Sequence, residues 1–159
     1  MYTYHYDSKL GGITLASDGE GISGLWFDGQ KYFGDVLEGS NSEMKRLDVF
    51  DEAEEWLNIY FSGHVPNFTP KLKLTGSEFR LSVWNALLTI PYGHTMTYSE
   101  IAEKLKKGSA RSVGGAVAHN PISIIVPCHR VIGSNGNLTG YAGGLERKKE
   151  LLRLEGIDA

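Results

Sequence analysis

The residues best suited to chemistry sit together at Pro127-Cys128-His129-Arg130, directly after the apolar run Ile122-Ser-Ile-Ile-Val126. Cys128 is the only cysteine in the chain. A lone cysteine after a buried segment is by itself most simply a small core hydrophobe. Its neighbours argue for more, because burying three polar groups in a row without purpose is costly. A nucleophilic cysteine reacts as the thiolate, so something must take its proton, and histidine is the usual base. The apolar run reads as a buried strand, and neighbours on a strand point to opposite faces. His129 therefore serves Cys128 only if Pro127 has turned the chain, or through a water. His129 also needs an acceptor to orient its other ring nitrogen. Glu155, Glu150 and Glu146 are all candidates, and residue spacing does not choose among them.

A second constellation is Ala110-Arg-Ser-Val-Gly-Gly-Ala-Val-Ala-His119. It reads as a short helix, ended by Asn120-Pro121. It follows a helix opened by Thr97-Tyr98-Ser99-Glu100, a capping-box pattern with Thr97 as the cap. That earlier helix is expected to stop at Lys107-Gly108. Two short helices around a Gly-containing turn form a helix-turn-helix pattern. Gly114 and Gly115 each cost about 1 kcal/mol relative to alanine in a helix. Either close helix packing or close approach to another backbone, such as a nucleic-acid strand, would justify that cost. Major-groove readers carry several long polar side chains; this helix offers only Arg111 among small residues, which suits the minor groove better. Two further readings stand beside a reactive Cys128 on a nucleic-acid surface. One is a cysteine hydrolase, although that class brings its histidine from a distant position. The other is a non-catalytic helix-turn-helix DNA binder.

The elements that must position these groups fall in two halves. Residues 1–75 read as strands at Tyr2 to Tyr6, Gly12 to Ala16 and Ile22 to Phe27. Asp and Gly residues between the runs supply the turns. A helix from Asp48 to Phe61 follows, with Val49, Ala53, Trp56, Leu57 and Tyr60 at helical spacing. A linker from His64 to Leu74 carries Pro66 and Pro70. Residues 76–159 read as mainly helical: Ser77 to Leu88, the two helices above, and Leu145 to Leu154. The fold class is therefore α+β. A small N-terminal β-sheet domain with a helix, residues 1–75, precedes a mainly helical domain containing a helix-turn-helix, residues 76–159.

Charge separates the halves as well. The first holds six Lys/Arg against twelve Asp/Glu, the second ten against seven, although the whole chain is net −3. Any phosphate contact belongs to the second half. No apolar stretch of the ~18 residues that suggest a membrane span is present. The opening residues lack a signal peptide's basic and apolar regions. One cysteine excludes an internal disulfide and the thiolate-rich zinc sites, and His5 and His64 stand apart, so no metal or cofactor is expected. A free thiol points to the cytoplasm. The remaining histidines, His94 and His119, read as solvent-facing or helix-end residues, and Trp26, Trp56 and Trp84 read as core.

Pro127-Cys-His-Arg130, Asn120-Pro121 and Arg111-Ser-Val-Gly-Gly-Ala116 together resemble the O6-alkylguanine-DNA alkyltransferase family. Ile90-Pro-Tyr-Gly93, Thr97-Tyr98 with Ile101-Ala102, Gly140-Tyr-Ala-Gly-Gly-Leu145, and Leu151-Leu152 with Glu155-Gly156 add to the match. The resemblance runs from Ser77 to Gly156 and is loose before that, best at Gly24-Leu-Trp-Phe27. It implies a single-turnover transferase that moves the alkyl group of O6-alkylguanine, and possibly O4-alkylthymine, irreversibly onto Cys128. His129 would act on the thiol through a water, Glu155 would orient His129, Asn120 would support the turn, and Tyr98 would help protonate the leaving guanine. Arg111 would fill the gap left by a flipped nucleotide. Thr97, Ser109, Ala110, Ser112, Gly114 and Gly115 would meet the DNA. Tyr141, Ala142, Gly143, Gly144 and Val131 would line the base pocket. Position 142 is Ala where some members carry a hydroxyl. The implied partner is double-stranded DNA carrying the lesion, bound through the minor groove by a monomer, with no membrane and no cofactor.

Overall fold

A computed structural model describes residues 1–34, 42–138 and 140–158. The N-terminal half is a four-stranded sheet in the order β3-β2-β1-β4. β1 (Tyr2–Ser8), β2 (Gly11–Ser17) and β3 (Ile22–Phe27) form an antiparallel meander. β4 (Glu43–Met44), which the residue pattern does not announce, pairs parallel with β1. Helix α1 (Asp48–Phe61) covers the sheet and buries Val49, Phe50, Ala53, Trp56, Leu57, Tyr60 and Phe61. This is the apolar stripe that its spacing predicts, and each large side chain removed from water contributes about 1.5–3 kcal/mol.

The outer edge of β3 is not left bare, as an unpaired edge strand would be. Ile22 exchanges backbone bonds with Lys71 and Lys73, so part of the expected linker lies down as an extra edge segment. Leu25 donates to the Pro121 carbonyl at 2.8 Å and accepts from Ser123 at 2.9 Å. The sheet thereby grips the segment that leads to Cys128.

The second half contains α2 (Glu78–Leu87), β5 (Met96–Thr97), α3 (Tyr98–Leu105), α4 (Ala110–Ala118), a 3₁₀ turn (Cys128–Arg130), β6 (Val131–Ile132) and α5 (Leu145–Leu154). Ser77 caps α2, and the Thr97–Glu100 capping box opens α3 with both reciprocal bonds made. α3 ends at Leu105, two residues before Lys107, because Lys106 takes a left-handed conformation (φ 55°) and breaks the ladder. α4 packs on α2, and the Trp84 indole donates to the Ala116 carbonyl at 2.8 Å. One hydrophobic cluster runs through both halves, from Ile13 and Phe27 to Val126 and Leu151, with Trp26, Trp56 and Trp84 all buried.

One expected element is absent: Ile122–Val126 is buried but is not a strand. Asn120 replaces the ladder. Its side chain accepts from Ile122 N and donates to the Ile122 and Val126 carbonyls, folding the run into a tight turn. Ile124 sits there at φ 71°, an uncommon and strained conformation for a β-branched residue.

Candidate active site

Pro127 does turn the chain. Cys128, His129 and Arg130 form a buried 3₁₀ turn rather than a strand end, which removes the opposite-faces objection. β6 leaves this turn and pairs in parallel with β5, Met96 to Val131 and Thr97 to Ile132. That pairing sets Thr97, and with it the start of α3 at Tyr98, beside Ile132.

Of the three candidate acids, Glu155 is the one that reaches His129. Its Oε2 lies 2.6 Å from His129 Nε2. Glu146 and Glu150 instead face Lys149 and Arg153 on the surface. Glu155 is saturated with donors: Arg130 Nε and Nη2 at 2.8 and 3.1 Å, Tyr60 Oη at 2.6 Å and Gly93 N at 2.9 Å. Burial pushes its carboxyl up, but donation and charge from His129 and Arg130 outweigh burial and hold it at about 2. An ionised carboxylate only accepts, so the His129 proton belongs on Nε2. Burial also pushes His129 down, against the pull of Glu155. His129 Nδ1 is buried without a hydrogen-bond partner among the described residues.

Burial raises the Cys128 thiol, while the Asn120 amide and the Lys148 charge lower it. Lys148 is fully buried, donates to the Val131 carbonyl at 2.6 Å, and is pushed down by burial to about 8. The Tyr141 hydroxyl is also buried. It is near enough to Cys128 and Ser123 to interact with them, yet makes no hydrogen bond of good geometry.

The loop Tyr141–Gly144 brings the Tyr141 hydroxyl to this thiol. Tyr141 and Ala142 are half-buried, Gly143 is buried, and Gly144 turns at φ 94° into α5. A Cβ at Gly143 would come within 2.7 Å of the Tyr141 ring, so a side chain there has no room. Val131 is buried behind the turn.

α4 presents a different surface. Ser109 and Ser112 cap its start reciprocally, and Ala110, Arg111 and Ser112 are exposed. Packing among the described residues does not explain the two glycines. A Cβ at Gly115 would meet nothing within 4 Å, and one at Gly114 only the Tyr98 ring at 3.8 Å. Thr97, at the start of the neighbouring helix, is half-buried. His119 ends α4, bonded to Gly115 O and stacked on Tyr32, and His94 bonds Tyr92 O, so neither nears Cys128. Among the described residues, no three His, Cys, Asp or Glu gather as metal ligands.

The roles of three residues at this site escape sequence reasoning. Arg130 stands out beside Cys128 and His129 but without a partner, Lys148 reads as one more basic residue of the last helix, and Tyr60 as core. Lys148 did carry a signal: with Leu145, Leu151 and Leu152 it falls on the helix's apolar stripe. For Arg130 and Tyr60 nothing local names the partner, Glu155, because it lies far away in sequence.

Residues 78–157 match the family model for the DNA-binding domain of 6-O-methylguanine DNA methyltransferase, and residues 1–74 match its ribonuclease-like domain. A methylated-DNA–protein-cysteine methyltransferase of Methanosarcina acetivorans is 49% identical over 158 residues, covering 98% of this chain and 99% of that protein. The protein of the same name from Mycobacterium tuberculosis is 47% identical, covering 95% and 92%. A crystal structure of the Mycobacterium tuberculosis protein in complex with DNA superposes with a TM-score of 0.87 at 43% identity, covering all of this chain and 96% of that one. Matched along both halves, in sequence and in fold, the chain belongs to the 6-O-methylguanine DNA methyltransferase family.

Proposed function

We propose that this protein repairs alkylated DNA directly, taking the O6-alkyl group of guanine onto Cys128 once per molecule. The observation that carries the reading is the Cys128 turn: one buried thiol beside a histidine held by an ionised, donor-saturated glutamate. Glu155 keeps the proton on Nε2 and leaves Nδ1 as the nitrogen that receives the thiol proton, directly or through a water. The thiolate then attacks the alkyl carbon. An S–C bond forms, the C–O6 bond breaks, and its electron pair leaves on the guanine, which is protonated as it goes. Tyr98 donates towards the base, since a donor at a developing anion lowers the barrier. Asn120 holds the turn that presents Cys128, and Lys148 adds positive charge beside the thiolate. The product thioether has no group that water displaces readily, so the protein is spent.

The lesion atom is inaccessible inside a duplex, so the nucleotide must swing out, at a cost of a few kcal/mol. We assign the receiving pocket to Tyr141, Ala142, Gly143, Gly144 and Val131. The DNA face we assign to Thr97, Ser109, Ala110, Arg111, Ser112, Gly114 and Gly115, with Arg111 filling the vacated place in the stack. On this reading the duplex is met through its minor groove by a monomer, and residues 76–159 carry both surfaces while residues 1–75 brace them. A free thiol as nucleophile also requires a reducing compartment such as the cytoplasm; no helix among the described residues is long and apolar enough to cross a membrane.

Intact-mass measurement after mixing with O6-methylguanine duplex tests the proposal. The expected result is a gain of one methyl group per chain, mapped to Cys128, with no second turnover. Repeated turnover, or methylation elsewhere, overturns it.

A further inference from the structure

Tyr60 belongs to α1, in the half of the chain remote from Cys128 in sequence, and nothing in the transfer chemistry above employs it. Its side chain is nevertheless fully buried against the site. The hydroxyl lies 2.6 Å from Glu155 Oε2 and 3.4 Å from His129 Nε2, and the ring meets the His129 and Tyr92 rings edge-on. Burial first, and then the Glu155 charge, raise its hydroxyl far above the ordinary value, so it stays protonated and acts as a donor.

Resting on the reading of Cys128 as alkyl acceptor, we propose that Tyr60 is a positioning residue that acts through Glu155. By donating to the oxygen that faces His129, it weakens that oxygen's hold on an imidazolium, and so keeps His129 neutral and Cys128 in its thiol form. The argument turns on which oxygen is shared. Arg130 Nε and Gly93 N bind Oε1, whereas Tyr60, His129 and Arg130 Nη2 converge on Oε2. A donor to Oε2 draws negative charge away from the carboxylate that stabilises protonated His129. Thiolate formation moves a proton onto His129, so whatever makes the imidazolium less favourable also makes the thiolate less favourable. The carboxylate would keep its place without Tyr60, because Arg130 and Gly93 still hold it. What changes is the charge that His129 feels.

Other charged or titratable groups face this cluster. They are Tyr92 from the segment before β5, Cys128 and Arg130 from the 3₁₀ turn, Tyr141 from the pocket loop, and Lys148 from α5. Arg130 and Lys148 oppose the imidazolium as Tyr60 does, but both sit in the C-terminal half. Tyr60 alone brings that influence from the N-terminal half, so docking of α1 sets how readily a single-use thiol ionises.

The test is the pH dependence of benzyl transfer from free O6-benzylguanine, which needs no DNA, followed by intact mass from about pH 5 to pH 9. Tyr60→Phe is compared with wild type and with Trp56→Phe, which alters the ring stacked on Tyr60 but no bond to Glu155. In Tyr60→Phe the rate on the plateau above the midpoint is expected to rise about three- to tenfold, and the acid limb, which marks protonation of the His129 base, to move to higher pH by about half a unit to one unit, so that the two profiles converge at acid pH. Trp56→Phe should lower the melting temperature and leave the limb in place. If the Tyr60→Phe limb coincides with wild type or moves to lower pH while wild type transfers normally, the proposal falls and the Cys128 reading stands. If wild type takes up no benzyl group at all, both fall together.

Discussion

The relay around Glu155 and the outer face of α4 lie in the same half of the chain and are built on opposite principles. Around Glu155 the buried polar atoms of the described residues are engaged, His129 Nδ1 and the nearby Tyr141 hydroxyl excepted. A carboxylate with no exposed surface collects donors from α1, from the Gly93 turn, and from both His129 and Arg130. On α4 the reverse holds. Arg111 is exposed, and Gly115 faces open space. A buried charged network is strong only when complete, so each of its members is felt both in the chemistry and in the stability of the fold. An open helical face with small residues contributes little to folding and gains its purpose when something covers it. The contrast separates what substitutions should do: in the relay, transfer changes alike for every substrate; on α4, only for substrates held in a duplex.

The largest expected effect is at the thiol. Cys128→Ser should abolish transfer to both free O6-benzylguanine and alkylated duplex, since a serine hydroxyl at neutral pH is a far weaker nucleophile than a thiolate. Duplex affinity should persist, because the α4 face is untouched. Transfer surviving in this variant, read by intact mass, would place the acceptor elsewhere.

Glu155→Gln comes next, and it acts on two quantities. The amide cannot carry the charge that Arg130 pairs with, and breaking a buried pair costs about 3–5 kcal/mol. Transfer should slow equally on free base and duplex. The pH dependence has a definite sign. Glu155 is held at about 2, below its ordinary 4.5, so its stabilising contribution is complete above pH 4.5 and is lost as pH falls towards 2. The size is on the order of 3 kcal/mol. His129 is pushed down as well, so acidification below its ordinary 6.5 also favours the unfolded chain, which takes up a proton that the folded one refuses. Thermal melts should show wild-type stability falling from about pH 6.5 downward, with Glu155→Gln lacking the additional loss below 4.5. Parallel curves for the two proteins would mean that Glu155 contributes no linked charge.

Arg111→Ala should sharpen the contrast from the other side. If Arg111 occupies the place of the extruded base, repair of duplex falls about tenfold or more, while the free base reacts at nearly the wild-type rate. The loss should shrink for a mismatched or single-stranded lesion, where unstacking costs less. A plain phosphate contact would instead lower affinity evenly and reduce the salt slope by about one unit. Equal slowing on free base and duplex would assign Arg111 to the pocket.

The same contrast explains how far the sequence could be read. α1 and α5 are bounded where their apolar stripes predict, because helical periodicity is local information. The segment at 122–126 is not, because an apolar run carries no sign of the Asn120 side chain that folds it into a turn. Cys128 and His129 stood out by type and adjacency. Glu155 could be chosen over Glu146 and Glu150 only through the resemblance, since its distinction is an encounter with His129 across 26 residues. Tyr60 reaches Glu155 across 95 residues and looks, on its own helix, like any buried aromatic. Local pattern therefore announces the α4 surface, whereas most of the relay exists only once the chain has folded.

The smallest effect is expected at Gly115, where stability and function should part. A glycine inside a helix costs about 0.5–1 kcal/mol relative to alanine, chiefly through the freedom it gives the unfolded chain. The Gly115 Cβ position is empty for 4 Å around, so alanine meets no clash in the folded protein. Gly115→Ala should therefore raise stability by about 0.5–1 kcal/mol, seen as a higher melting temperature. Reaction with free O6-benzylguanine should be unchanged, because the relay and its pocket are not altered. Duplex repair should nevertheless fall a few-fold, because the added methyl group stands where the nucleic-acid strand comes close. A variant both more stable and equally active on duplex would show that the glycine serves no close approach, and the face of α4 that meets DNA would then have to be drawn around Arg111 without it.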